Sequence, residues 1–294
     1  MKYYSPFFCF LARQSLRIGI LQAKAGNRFR SFLMTLAYAV CSVSVMPLRA
    51  EPAHRAEQVS QLLFGERMEV LAEEKNGWLQ VRCEWDDYEG WVKKGQVAII
   101  TYKEYRKPLH YYNAGFTDTI QVEHGHFLLS PGSSLFLMKR RELKWGSKEY
   151  SFKGRKIALK QTEASAEGVR AYSKMFMGSP YHWGGRSLMG IDCSGLTQVV
   201  YKLMNIRIPR DASQQALIGE TVDFLQEARC GDLAFFDNEE GHITHVGILL
   251  NDHTIIHGTE TSGCVVTDPI DNGGIISRQL RMRTHKLRLI KRIF

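Results

Sequence analysis

The chain has 294 residues, 44% of them hydrophobic and 23% charged, with a formal net charge of +9, so folded cores and about two domains of ~100 to 200 residues each are expected. The positive balance does not point to nucleic acid, because residues 1–50 supply seven of the nine charges (Lys2, Arg13, Arg17, Lys24, Arg28, Arg30 and Arg49, with no acid) and leave +2 on the other 244. A cluster near the end, Arg278, Arg281, Arg283, Lys286, Arg288, Lys291 and Arg292, reads as a solvated strand surface, so no nucleic-acid partner is expected.

Residues 1–50 carry the marks of an export leader. Arg28 and Arg30 precede an apolar run from Phe32 to Met46, and Leu48-Arg49-Ala50 is similar to a small-residue cleavage site, so cleavage after Ala50 is expected. The run is shorter than the ~20 residues of a spanning helix, so no stable membrane span is expected. Thirty residues ahead of it exceed an ordinary basic leader, which points either to a true start further along or to an uncleaved anchor. The bulky Val40 before Cys41 argues against lipidation.

Short strands cut by turns follow: Gln61–Glu66, Met68–Leu71, a Lys75-Asn76-Gly77 turn, Trp78–Cys83 and Glu89–Val92. This spacing predicts a small all-β barrel over residues 51–100, and the order "GERMEVLAEEKNGWLQVR" then "EGWV" resembles bacterial SH3-like domains. Residues 101–158 are again β-patterned and aromatic-rich, with turn signals at Asn113, Gly125, Pro131-Gly132 and Gly146, and are expected to form a second, divergent SH3-like barrel. From Glu163 the period changes. Ala166, Val169, Ala171, Tyr172 and Met175 share a helical face that Gly178-Ser179-Pro180 ends, which opens a new domain over 163–294. Asp192 is placed to cap a helix running to Met204, with Leu196, Val199, Val200 and Leu203 on its inner side. A short helix near Ser213–Leu217 and strands at Leu233–Phe236, Ile243–Leu250 and Thr254–Ile256 complete an α+β fold.

Chemistry concentrates at Asp192-Cys193-Ser194-Gly195 and at His245 and His257. A helix N-terminus and a neighbouring imidazolium both depress a cysteine pKa, and the thiolate is the form that attacks a carbonyl carbon. If Asn251 and Asp252 alone closed the hairpin, the two histidines would face opposite ways. A three-residue loop or an equivalent bulge puts them on one face, and that is the expectation. In that geometry Cys193 is the nucleophile, His245 takes and returns its proton, His257 orients His245, and the Cys193 N–H faces the oxyanion. The competing readings are satisfied core histidines and a Cys/His/His zinc site, the second lacking closely paired ligands. Cys83, Cys230 and Cys264 form no C-x-x-C pair, and Cys230 and Cys264 read as small buried hydrophobes rather than a bridge.

The run "PYHWGGRSLMGIDCSGLTQVVYKLMNIRIPRDASQQA", then "GDLAFFD" and "ITHVGILLNDHTIIHG", resembles the NlpC family of papain-like cysteine peptidases, which cut bacterial peptidoglycan stem peptides. The resemblance covers residues 163–294 and implies Cys193, His245 and His257 as the catalytic set, with no metal or organic cofactor. The "YHWGG-RS" and "RDASQQ" variants after SH3-like domains resemble the branch cutting the γ-D-glutamyl bond to meso-diaminopimelate or L-lysine in peptides with a free N-terminal L-alanine. That resemblance implies Tyr181, Asp192, Ser194 and Ser213 as substrate-binding residues, with Asp192 meeting the ammonium group, and an acid of the first barrel, among Glu66, Glu84, Asp86 and Asp87, closing the amine pocket. The partners it implies are stem peptides or muropeptides in the bacterial envelope or periplasm, or in the cytoplasm if the leader does not act as a signal. The other readings are an amidase or D,L-endopeptidase on intact peptidoglycan, and a non-hydrolytic wall-binding protein. Nothing in the sequence sets an oligomeric state.

Overall fold

Alternating apolar and polar residues build the first barrel, and they begin doing so earlier than the sequence pattern implied. In the computed structural model, which describes residues 34–294, β1 (Ala37–Cys41), β2 (Val45–Arg49), β3 (Gln58–Leu63), β4 (Arg67–Glu73), β5 (Trp78–Cys83), β6 (Glu89–Lys93) and β7 (Val97–Ile100) form one antiparallel sheet in the order β3-β2-β6-β5-β4-β1-β7. Met46, Leu48, Met68, Val70, Leu79 and Val81 fill its core, each large side chain contributing about 1.5 to 3 kcal/mol by burial. The expected leader is corrected here. Seven of the fifteen residues of its apolar run lie in barrel strands, and cleavage after Ala50 would remove β1 and β2. An export signal that leaves the barrel whole ends before Leu36; residues 1–33 lie outside the described ones.

The second module follows α1 (Tyr102–Tyr105), whose Thr101 and Glu104 form a capping box. It contains β8 (Tyr111–Asn113), β9 (Thr119–Val122), β10 (Gly125–Leu128), β11 (Glu142–Trp145), β12 (Lys148–Lys153) and β13 (Lys156–Ala158), as a four-stranded sheet β10-β9-β12-β11 and a β13-β8 ribbon. Phe136, Trp145, Tyr150 and Phe152 share one core with Val40, Phe64 and Ile100 of the first barrel. The two modules are therefore fused rather than tethered.

The last domain opens with α2 (Ala166–Lys174), the pair β14 (Arg186–Ser187) and β15 (Gly190–Ile191), α3 (Cys193–Leu203) and α4 (Ala212–Gln215). The strands β16 (Glu220–Val222), β17 (Leu233–Asp237), β18 (Ile243–Asn251), β19 (Thr254–Thr259), β20 (Cys264–Asp271), β21 (Gly274–Ser277) and β22 (Met282–Arg292) follow, in the order β16-β22-β17-β18-β19-β20-β21, and β22 also pairs with β21 so that the sheet closes on itself. Every residue of α3 is buried, with Leu196, Val199, Val200 and Leu203 packed against Val246, Ile248 and Ile256 of the sheet. The fold is α+β and papain-like, as expected. Among the described residues no helix is long and apolar enough to cross a membrane.

A buried ionic joint fixes the first barrel to this domain. Glu66 accepts two hydrogen bonds from the Arg186 guanidinium, at 2.9 and 3.0 Å, and a third from Lys202 of α3. Burial alone would raise the Glu66 carboxyl, but the two cations outweigh it and hold the pKa at about 2. All three side chains are at most 5% exposed.

Candidate active site

Asp192 ends an extended segment and caps α3, its Oδ1 accepting from the Gly195 N–H at 2.7 Å. That cap makes Cys193 the first helical residue, where the N–H has no intrahelical acceptor and the helix's partial positive charge collects. Gly195 is required two residues on, because a Cβ there would come 2.1 Å from the Gly185 carbonyl oxygen. The backbone at Ser194 and at Val246, the residue after His245, favours the thiolate form of the sulfur. The sheet thus carries its first histidine on β18, the strand that packs against α3.

Two bulges aim the imidazoles. Between β17 and β18 the register shifts so that Thr244 is extra, and between β18 and β19 Leu250 is extra, after which paired residues follow Leu249↔Ile255 and Ile248↔Ile256. Carried to the site, this register sets His257 opposite Gly247, one same-face step from His245, which is the bulged alternative foreseen for the hairpin. His245 Nε2 and His257 Nδ1 are 2.8 Å apart. His257 Nε2 lies 3.2 Å from Asp268 Oδ2 on β20, and Asp268 Oδ1 accepts from the Arg278 N–H at 3.0 Å.

This chain fixes every tautomer. Burial pushes the Asp268 carboxyl up, but hydrogen bonds from His257 and the Arg278 N–H outweigh it and hold it below the usual carboxylate range, so it is ionised and only accepts. His257 must then carry its proton on Nε2, its Nδ1 accepts from His245 Nε2–H, and His245 keeps a free lone pair on Nδ1 for the thiol proton. Replacing Asp268 by Asn reverses the chain: the amide donates to His257 Nε2, and His245 ends protonated on the wrong nitrogen. Asp268→Asn is expected to lower kcat by roughly 10² to 10⁴-fold with KM little changed, by analogy with the tautomer error in serine triads. Steady-state kinetics and a melting curve check this; an unchanged kcat would remove Asp268 from the relay.

The resting charge state departs from the expected thiolate and imidazolium. Burial, helped by the Asp192 charge, pushes the Cys193 thiol up to about 12 against the opposing hydrogen bonds at Val246 and Ser194 and the Arg210 charge. Burial, with His257 and His285 nearby, drives His245 well below 6.5. Both groups therefore rest neutral, and the proton crosses from sulfur to His245 as sulfur attacks. The leaving amine takes that proton, and water then releases the acyl group.

The implied substrate residues meet different fates. The Tyr181 phenol is raised by burial first and then by the charges of Cys193 and Asp192. Asp192 is saturated: Gly184 N–H, Gly195 N–H, Ser194 Oγ and Arg210 all donate to it, Arg210 at 2.6 Å. Arg210 therefore shares the carboxylate that the resemblance assigns to an ammonium group. Ser194 Oγ also accepts from Arg210 at 2.7 Å. Ser213 stands exposed on α4, whose Gln215 donates to the Ser194 carbonyl at 3.1 Å.

Of the four barrel acids considered, Glu66 is locked in the ionic joint, Glu84 pairs with Arg67 and Arg207, and Asp86 accepts from Gln198. Asp87 occupies a left-handed turn position at φ 57°. The acid that reaches the catalytic domain's Trp183 is Glu57, accepting from the indole N–H at 2.7 Å. The indole is tethered there but 60% exposed. Gly184, at φ +72°, keeps the contact close, because a Cβ would lie 2.3 Å from the Gln58 carbonyl oxygen. Tyr88 of the barrel donates to Asp211 at 3.3 Å, and Arg210 donates to Ser60 Oγ at 3.0 Å. Burial raises the half-buried Asp211 carboxyl despite Arg210. Glu57, Tyr88, Arg210, Asp211, Asp268 and His285 were all missed from sequence; only the quoted "RDASQQ" run carried a signal, for Arg210 and Asp211. Cys230 and Cys264 are free and half-buried. Among the described residues no group of three or more His, Cys, Asp or Glu side chains is arranged to hold a metal ion.

Comparison with known proteins agrees with this geometry. Residues 178–284 match the model of the NlpC/P60 family, and residues 48–97 match the bacterial dipeptidyl-peptidase SH3 domain. The chain is 30% identical over 233 residues to a gamma-D-glutamyl-L-lysine dipeptidyl-peptidase of Bacillus subtilis, covering 69% of this chain and 72% of that one. It is 31% identical over 250 residues to dipeptidyl-peptidase 6 of Lysinibacillus sphaericus, covering 76% of this chain and 90% of that one. A crystal structure of an NlpC/P60 family protein from Bacillus cereus superposes with a TM-score of 0.73 at 20% identity, covering 87% of this chain and 99% of that one, which shows the shared fold. With a buried cysteine at a helix mouth, its histidine relay and an SH3 domain beside it, the chain belongs to the NlpC/P60 family and is a cysteine peptidase.

Proposed function

We propose that this peptidase hydrolyses the bond between γ-D-glutamate and the following diamino acid, meso-diaminopimelate or L-lysine, in peptidoglycan stem peptides, and that it prefers peptides with a free N-terminal L-alanine. The observation that carries the reading is the first barrel's contact with the segments around Cys193. Glu57 and Gln58 hold Trp183, Ser60 holds Arg210, and Tyr88 holds Asp211, and Arg210 in turn holds Asp192, the residue before Cys193. A site flanked on one side by another module favours a chain end over the middle of a long polymer. The end that fits is cationic, because Glu57 and Asp211 supply carboxylates beside the neutralised Asp192–Arg210 pair. The relatives named as γ-D-glutamyl-L-lysine dipeptidyl-peptidases support the same bond.

Hydrolysis of L-Ala-γ-D-Glu-L-Lys and its diaminopimelate counterpart, each free and N-acetylated, tests the proposal. Acetylation removes the charge and leaves carboxylates facing an amide, so kcat/KM is expected to fall by at least about 100-fold. Equal rates on free and blocked peptides would instead favour the reading as an amidase or D,L-endopeptidase on intact wall.

A further inference from the structure

We propose that His285 is a positioning residue of this reaction: its ring stacks on His245 and holds that imidazole in the plane from which it takes the proton of Cys193. The inference rests on the reading of Cys193 and His245 as nucleophile and base. The two rings lie 4.2 Å apart between centroids with planes 28° apart. His257 meets His245 edge-on at 83° and fixes one nitrogen. A single hydrogen bond leaves the ring free to tilt about the bond axis; a stacked face removes that freedom.

Three features hold His285 in place. Its Nδ1 lies 2.8 Å from Thr284 Oγ1. Its backbone pairs with Ile275 of β21, where Gly274, at φ +122°, is needed because a Cβ would sit 1.8 Å from the His285 carbonyl oxygen. Phe236 of β17 closes the cluster, 5.7 Å from His245 and 5.8 Å from His285. No step of the mechanism derived above uses this third ring. Burial, with His257 beside it, pushes the His285 pKa down to about 4, so the ring is uncharged in neutral solution and presents its π face to the cation that forms on His245.

The test separates ring from hydrogen bond. His285→Phe keeps a stacking ring and loses the Thr284 partner; His285→Asn keeps a polar partner and loses the ring. For both variants and the wild type, kcat and KM are measured on the free tripeptide, and iodoacetamide labelling of Cys193 is followed by peptide mass spectrometry. His285→Asn is expected to lower kcat about three- to tenfold with KM held within about twofold, and to slow labelling in parallel, while His285→Phe keeps at least about half of both rates. His285→Leu, which fills volume without a ring, takes the place of the asparagine variant if that one does not fold, with the same expected loss. Wild-type rates in the ringless variant would overturn the proposal, as would a folded His285→Phe as slow as His285→Asn. A wild-type enzyme that neither turns over the tripeptide nor labels at Cys193 would overturn the catalytic reading beneath it.

Discussion

Cys193→Ala is expected to remove hydrolysis of the stem tripeptide to below one part in about 10⁵ of the wild-type rate, the scale on which a covalent nucleophile acts. The side chain is 6% exposed and sits at the first position of α3, which Asp192 caps without help from the sulfur. Exchanging one buried sulfur for hydrogen leaves the cap, the Arg210 contacts and the histidine relay in place, so the stability cost is about 1 kcal/mol. The variant should therefore fold, bind and fail to turn over. Product release followed by mass spectrometry, beside a thermal melt, reads both quantities. Retention of even about 1% of turnover in a correctly folded Cys193→Ala protein would mean that no acyl-enzyme forms at this sulfur, since the oxyanion site and binding alone leave far less.

The second large effect lies at the ionic joint. Glu66→Ala leaves Arg186 and Lys202 buried beside each other with no anion between them, and stripping one member from a buried charged set costs roughly 3 to 5 kcal/mol. At about 2 to 4 °C per kcal/mol for a protein of this size, a melting point some 10 °C lower is expected. The pH dependence has a definite sign. The folded Glu66 pKa, about 2, lies below the ordinary carboxylate value of 4.5, so the carboxylate's contribution is complete above about pH 4.5 and is lost as pH falls toward 2, an effect on the order of 3 kcal/mol. Melting curves between pH 2 and pH 6 should thus be steeper in pH for the wild type than for Glu66→Gln. Coincident slopes, or a Glu66→Ala protein melting within about 2 °C of the wild type, would show that the joint contributes little.

Much of the architecture was legible in local pattern. Trp78–Cys83 occurs as a strand within the bounds expected from its turn residues, and α3 runs from Cys193 with Asp192 as its cap, because capping and helical periodicity are properties of adjacent residues. The pairing of His245 with His257 was legible because strand parity is arithmetic. What escaped lies in contacts between distant segments. Arg210 meets Asp192 across 18 residues and Ser60 across 150, and His285 reaches His245 because β22 pairs with β17, the neighbour of β18. The apolar run before Met46 was misread for a different reason. A barrel strand and a leader's apolar core share composition, and only pairing with β4 and β7 tells them apart. The shift at Cys193 runs against its helix position, because burial beside a carboxylate raises the thiol.

The place of β1 and β2 within the first sheet bears on how this polypeptide tolerates shortening. Each is flanked on both sides, β1 by β4 and β7 and β2 by β3 and β6. A recombinant version starting at Glu51 would not lose a dispensable tail; it would open two interior gaps and bare four ladder edges. Such edges recruit neighbouring chains, so material made that way would tend to aggregate before the catalytic half could be assayed.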